Sequence, residues 1–170
     1  MKKTLISLIT LVVILSANGG ILSVQWPQKS SVQEKIQKDT PMVLKDKIKD
    51  VKLPVLLPKS YIVKQKMSVV AEKNYYAITI FLKGANLMIS GDKTYQMQMK
   101  DIDKKSQKML KQSRQEFINA EGMMITDFSR YGVNYSMQLE CDEVERDKRC
   151  SDDKFLREIY RQLVIVGGRR

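Results

Sequence analysis

Between residues 133 and 141, large apolar side chains fall at every second position. Val133, Tyr135, Met137, Leu139 and Cys141 share one side; Asn134, Ser136, Gln138 and Glu140 share the other. A strand alternates its side chains with a period of two, so this segment buries one face and wets the other only inside a sheet with a core on one side. One-sided burial is characteristic of antiparallel sheets, because parallel sheets are covered on both faces by their crossover helices. The rest of the chain must therefore supply partner strands and a cover for the apolar face.

Partner strands are legible upstream, where β-branched and aromatic residues concentrate. Residues 61–71 form a first candidate, and Tyr75 to Leu82, apolar on both sides, is expected to lie centrally. Gly84-Ala85-Asn86 predicts a turn, Leu87 and Ile89 a returning strand, and Gly91-Asp92 the next turn. Tyr95, Met97 and Met99 then alternate with Gln96 and Gln98. Residues 100–117 are charged and read as a solvated helix or a loop, after which strands resume at 122–130 and 133–141 around Tyr131-Gly132.

The cover is expected from the C-terminus. Phe155, Leu156, Ile159, Tyr160, Leu163 and Val164 form one stripe at helical spacing, with Ser151 as N-cap, Asp152 and Asp153 in the first turn and Gly167-Gly168 as the stop. The fold class expected is α+β: an antiparallel sheet of about five strands with this amphipathic helix packed on one face. The doubly apolar strand asks for a second cover, from a short helix over 41–51 or from 100–117.

At the other end, Lys2 and Lys3 precede an apolar run from Leu5 to Leu15, and Ala17-Asn18-Gly19 follows with small side chains. That is the layout of a signal peptide, too short for a spanning helix of about 20 apolar residues. Cleavage after Gly19 is the first reading and after Ala17 the second. No cysteine stands near for lipid attachment. Export places the mature chain in the periplasm or outside the cell, with no stable membrane span. Its charge falls by Lys2 and Lys3 alone, from +11 to +9. Oxidising compartments preserve disulfides, so Cys141 and Cys150 are expected to pair, fastening a strand end to a helix start. Closing so short a loop stabilises by about 2.5–3 kcal/mol on loop-closure entropy.

Residues 20–52 are polar and lysine-rich and read as a basic arm, within which Thr40-Pro41 opens the short helix over 41–51. Leu53-Pro54-Val55-Leu56-Leu57-Pro58 reads as extended and near an edge. The single α+β domain is expected over 53–170.

Arg130-Tyr131-Gly132-Val133-Asn134-Tyr135-Ser136, then Cys141, Asp147, Arg149-Cys150 and Leu163-Val164-Ile165-Val166-Gly167-Gly168 resemble the closing pattern of exported proteobacterial proteins with no assigned function. The Leu53 to Pro58 stretch and the Tyr75-Tyr76 strand fit the same pattern, which covers mainly residues 53–92 and 130–168. The resemblance implies export and the cysteine pair. It carries no activity, cofactor or catalytic residue.

The chain contains no histidine, the commonest general base and metal ligand. Serine triads and ordinary zinc sites become poor readings. Asp142, Glu143, Glu145, Asp147, Asp152 and Asp153 crowd the disulfide loop, but Arg146, Lys148 and Arg149 interleave them and their spacing fits no regular calcium loop. Met97 and Met99 share a strand face and suit Cu(I), although core packing asks for the same alternation. Lys100, Lys104, Lys105, Lys108, Lys111 and Arg114 load the middle segment, and a cationic face approaches anionic lipid or wall polymers. Nucleic acid is disfavoured by compartment and by the lack of interleaved aromatics. The expectation is a non-enzymatic envelope protein that binds a protein partner or an anionic surface and needs no cofactor. The alternatives are an enzyme using carboxylates and a methionine-based Cu(I) binder.

Overall fold

Val133–Cys141, the strand that the alternation demands, lies at the centre of a six-stranded antiparallel sheet. The computed structural model describes residues 19–28, 30–63, 65–96 and 116–170. In chain order the elements are β1 (Gly19–Ile21), α1 (Ser31–Asp39), α2 (Met42–Ile48), β2 (Val55–Pro58), a 3-10 turn (Lys59–Tyr61), β3 (Met67–Glu72), β4 (Tyr75–Leu82), β5 (Ala85–Asp92) and β6 (Thr94–Gln96). There follow β7 (Ile118–Ala120), β8 (Met123–Arg130), β9 (Val133–Cys141), α3 (Lys148–Ser151), α4 (Lys154–Arg161) and β10 (Leu163–Gly167).

The main sheet runs β3-β4-β5-β9-β8-β7, every neighbour antiparallel. Two of its hairpins close on two-residue turns with both residues in the left-handed region, a geometry that matches the right-handed twist of the strands: Glu121-Gly122, with φ of 51° and 84°, and Tyr131-Gly132, with 56° and 70°. Two small antiparallel pairs, β2 with β10 and β1 with β6, complete the pairing.

One face of the sheet is buried. Tyr76, Ile78 and Ile80 of β4, Leu87 and Ile89 of β5, and Met137 and Leu139 of β9 are sealed from solvent. Over them lies a second layer made of α2, the β2–β10 pair and α4, joined to the sheet residues in one hydrophobic cluster. Two phenols tie the layers together at buried main-chain groups: Tyr76 Oη accepts from Leu56 N at 2.9 Å, and Tyr135 Oη donates to Pro54 O at 2.9 Å. Gly91 on β5 leaves room for both rings, because a methyl group there would stand 2.6 Å from Tyr76 and 2.9 Å from Tyr135.

The α+β class, the antiparallel sheet and the Cys141–Cys150 disulfide hold, while several details change. The main sheet has six strands, and the first begins at Met67, after the 3-10 turn. The most central strands are β5 and β9; β4 lies one strand from the edge, with Phe81 on its outer face 45% exposed. Gly91-Asp92 is not a turn: it completes β5, where Gly91 pairs with Tyr76 and Tyr135. The C-terminal helix stops at Arg161. Leu163, Val164 and Ile165 leave the helical stripe and pair with Pro58, Leu57 and Leu56, and after a register shift at Val166 Gly167 pairs with Val55, because an apolar, β-branched run gains more from a strand partner than from continued winding. Ser151 does not cap the C-terminal helix; it ends α3, where its hydroxyl donates to Lys148 O at 3.1 Å, and α4 starts after Asp153, with Asp152 Oδ1 accepting from Lys154 N at 3.0 Å.

Residues 20–52 do not form a loose arm. Ser30 caps α1 by accepting from Gln33 N, and Gln33 Nε2 donates to Ile165 O on β10. Thr40 is buried, and Leu44 and Ile48 of α2, with Val51 beyond it, enter the common core on the covered face of the sheet. The folded core therefore starts before residue 53. The short helix expected over 41–51 spans Met42–Ile48 with Pro41 at its N-cap, and it does not cover the outer face. Among the described residues no helix is long and apolar enough to cross a membrane.

Candidate functional site

The strand pairings place Glu72, Tyr75, Asp92, Arg130 and Val133 at one end of the sheet and Leu82, Ala85, Met123 and Cys141 at the other. The two ends differ in charge.

The first end is strapped by residues 22–28. Leu22 N donates to Lys93 O at 2.6 Å, and Gln25 N donates to Tyr131 O at 2.8 Å. Ser23 O lies so close to Gly132 that a side chain there would collide at 2.4 Å. The strap ends at Trp26, which touches the space beside Gly168, and Arg170 Nη2 donates to Pro27 O at 2.7 Å. Local chemistry explains the path: a segment without regular structure must hand its amides to carbonyls that the sheet end leaves unpaired.

Beside the strap, backbone hydrogen bonds gather three lysines from three segments. Lys52 N donates to Lys73 O at 2.7 Å, and Lys93 N donates to Asn74 O at 3.1 Å, so the Lys73-Asn74 turn holds the other two lysines against it. The stem of Lys93 is buried while its ammonium keeps solvent contact. Burial, then the charges of Lys52 and Lys73, push the Lys93 ammonium below its ordinary pKa. Asp92, next to it, makes no ion pair with it; its Oδ1 accepts from the Thr94 amide at 2.6 Å and hydroxyl at 2.7 Å. Among the described residues the ion pairs all lie between residues 143 and 161, and none involves these lysines. Arg169 adds a further cation, its amide bonded to Val51 O at 2.7 Å. Three ammoniums with no ion pair among the described residues form a surface that attracts anions.

A cleft of about 380 Å³ adjoins the strap. Trp26 and Pro27 form one wall, Gln33 and Gln37 of α1 another, and Arg169 and Arg170 the rim. The Arg170 guanidinium lies 5.9 Å from the Trp26 ring centre. Among the described residues no acidic side chain lines the cleft.

The opposite end holds the disulfide. Cys141 ends β9 and Cys150 sits in α3, with Cα atoms 6.2 Å apart. Asp147 accepts from Arg149 N at 3.0 Å and from Arg149 Nε at 2.9 Å, while Arg149 Nη2 donates to Lys83 O at 2.8 Å. The acid thereby locks the loop to the β4–β5 turn. Hydrogen bonds from Arg149 hold the Asp147 carboxyl below its ordinary range, at about 2. Other acids here turn to cations of their own, Glu143 to Arg146, Asp152 to Lys154 and Asp153 to Arg157. Among the described residues no three acidic or cysteine side chains converge as metal ligands. The crowding of acids read from the sequence is thus largely a set of ion pairs around a staple.

Met97, Met99, Lys100, Lys104, Lys105, Lys108, Lys111 and Arg114 lie outside the described residues, as do residues 1–18 of the leader segment. Sequence reasoning found the disulfide and missed the basic end. Lys52, Lys73 and Lys93 are far apart in sequence and meet only through the β3–β4 turn. Trp26, the one tryptophan of the chain, was the available signal for the cleft. Comparison with known proteins returns no match to a family model, a curated protein or a solved structure.

Proposed function

We propose that this chain is an exported, non-enzymatic envelope protein that binds an anionic envelope surface through the basic end of its sheet. The carrying observation is the meeting of Lys52, Lys73 and Lys93, none of them ion-paired among the described residues, at a place where the stem of Lys93 is buried. Crowding like charges costs stability, and an anionic partner offsets that cost. The signal-like leader, the disulfide and the resemblance to exported proteobacterial proteins support a periplasmic or secreted address. Cleavage after Ala17 or Gly19 leaves Ile21 paired with Thr94 and the strap in place. A carboxylate enzyme needs two convergent acids free to act; Asp142, Glu143 and Asp147 line a second, open cleft at the disulfide end, but Glu143 and Asp147 are there paired with Arg146 and Arg149.

Co-sedimentation of the mature protein with phosphatidylglycerol vesicles and with purified peptidoglycan, at rising salt, tests the reading. Retention that falls with salt, and that drops about tenfold in a Lys52→Gln, Lys73→Gln, Lys93→Gln variant, is the expected result. No retention on either surface at low salt removes it.

A further inference from the structure

The cleft beside Trp26 has a chemistry of its own. Its volume of about 380 Å³ lies at the small end for ligand pockets, enough for one or two sugar rings. Trp26 is half-buried, so one part of its ring is seated against the fold and another remains available as a flat apolar platform. Gln33 and Gln37 stand one helical turn apart on α1 and line the same wall. The amide of Gln33 is oriented by its bond to Ile165 O, which leaves its own carbonyl oxygen as an acceptor. Arg170 uses one guanidinium nitrogen on Pro27 O and keeps further N–H donors, and Arg169 is exposed beside it. Neither arginine forms an ion pair among the described residues.

An aromatic platform, the oriented Gln33 amide with Gln37 beside it, and two guanidiniums without an ion pair among the described residues match a ring with apolar C–H faces, hydroxyls and a carboxylate. We infer that the Trp26 cleft binds a carboxylate-bearing saccharide. An acidic peptide fits less well. Peptides gain affinity from backbone pairing at a strand edge, and the adjacent edge carbonyl of β10, Ile165 O, is already occupied by Gln33. The lysines at 52, 73 and 93 do not line the cleft, so this site stands or falls apart from surface binding.

Trp26 is the single tryptophan, so its fluorescence reports on this cleft alone. The mature protein is titrated with trigalacturonate, with the neutral trisaccharide maltotriose and with a tetra-aspartate peptide. A saturable emission change with trigalacturonate, absent with maltotriose, and weakened about tenfold by Arg170→Gln or by Gln37→Ala, is the expected result. An unchanged thermal midpoint shows that Arg170→Gln is folded, and its retention on anionic vesicles separates the two sites. An equal response to maltotriose, a stronger response to tetra-aspartate, or no response to trigalacturonate overturns the assignment.

Discussion

The phenol oxygen of Tyr76, on the covered face of the sheet, accepts the backbone N–H of Leu56 at 2.9 Å. Both residues are sealed from solvent, so the bond stands in for water that the amide gave up on folding. Burial also drives the phenol well above its ordinary pKa, which keeps the hydroxyl protonated far into alkali. Tyr76→Phe removes the acceptor and leaves the buried amide of Leu56 without it. The expected loss is about 1–3 kcal/mol. Urea unfolding checks it: the midpoint falls with an unchanged slope, and a variant as stable as the parent shows that the bond does not hold the layers together.

Gly91 makes the same joint possible by absence. Its missing side chain is the space in which the rings of Tyr76 and Tyr135 and the side chain of Leu53 meet, and an added methyl would approach all three within 2.9 Å. These neighbours are ring edges and a packed leucine, which cannot swing aside. Gly91→Ala is therefore expected to destabilise by about 1–3 kcal/mol through overpacking, even though alanine suits a strand better than glycine. A thermal midpoint at or above that of the parent would refute this.

What the sequence disclosed, and what it hid, follows from the same residues. Val133 to Cys141 was legible because a one-sided strand writes its environment into every second residue. Gly91 misled because glycine marks turns and close packing alike, and only the pairing partners distinguish them. Leu163 to Val166 misled because a continuous apolar run continues a helical stripe as well as it makes a strand, and its partner, Val55 to Pro58, lies a hundred residues upstream. The arm was misread from its lysines, since Leu44, Ile48 and Val51 are few yet all buried. At the basic end no local pattern exists to be read. Its lysines are brought together by hydrogen bonds to the Lys73-Asn74 turn, which belong to topology.

Removing the disulfide should loosen one corner while leaving the sheet intact. Cys141 and Cys150 are nine residues apart, and closing that loop contributes about 2.5–3 kcal/mol on chain entropy. A Cys141→Ala, Cys150→Ala variant should unfold at correspondingly lower denaturant. Amide exchange should quicken first in α3 and α4 and stay slow in β5 and β9. Early exchange at β5 would mean that the staple serves the whole core.

Asp147 ties the stability of that corner to pH. Its carboxyl titrates at about 2 in the folded protein, against an ordinary 3.8, because Arg149 donates to it from both side chain and backbone. A depressed carboxyl contributes stability in full above its unfolded value and loses it as pH falls through the folded one, so the contribution should fade between about pH 4 and pH 2. Carboxyl-carbon NMR should place the Asp147 midpoint near 2, and Arg149→Gln should return it toward the ordinary value. An unmoved midpoint in that variant would leave the shift without its cause.

Lys93 is the position where binding and stability should pull apart. Burial and the charges of Lys52 and Lys73 lower its pKa from 10.5, so the unfolded chain holds its proton more firmly than the folded one. Stability should then rise as pH climbs toward the unfolded value. Lys93→Met keeps the buried stem and discards the charge. Tm is expected to rise by about 1–3 °C, the shift for roughly half to one kcal/mol in a chain of this size, while retention on anionic vesicles falls. A variant that loses Tm and keeps its binding would show that the ammonium serves the fold and not the surface, and would withdraw Lys93 from the site.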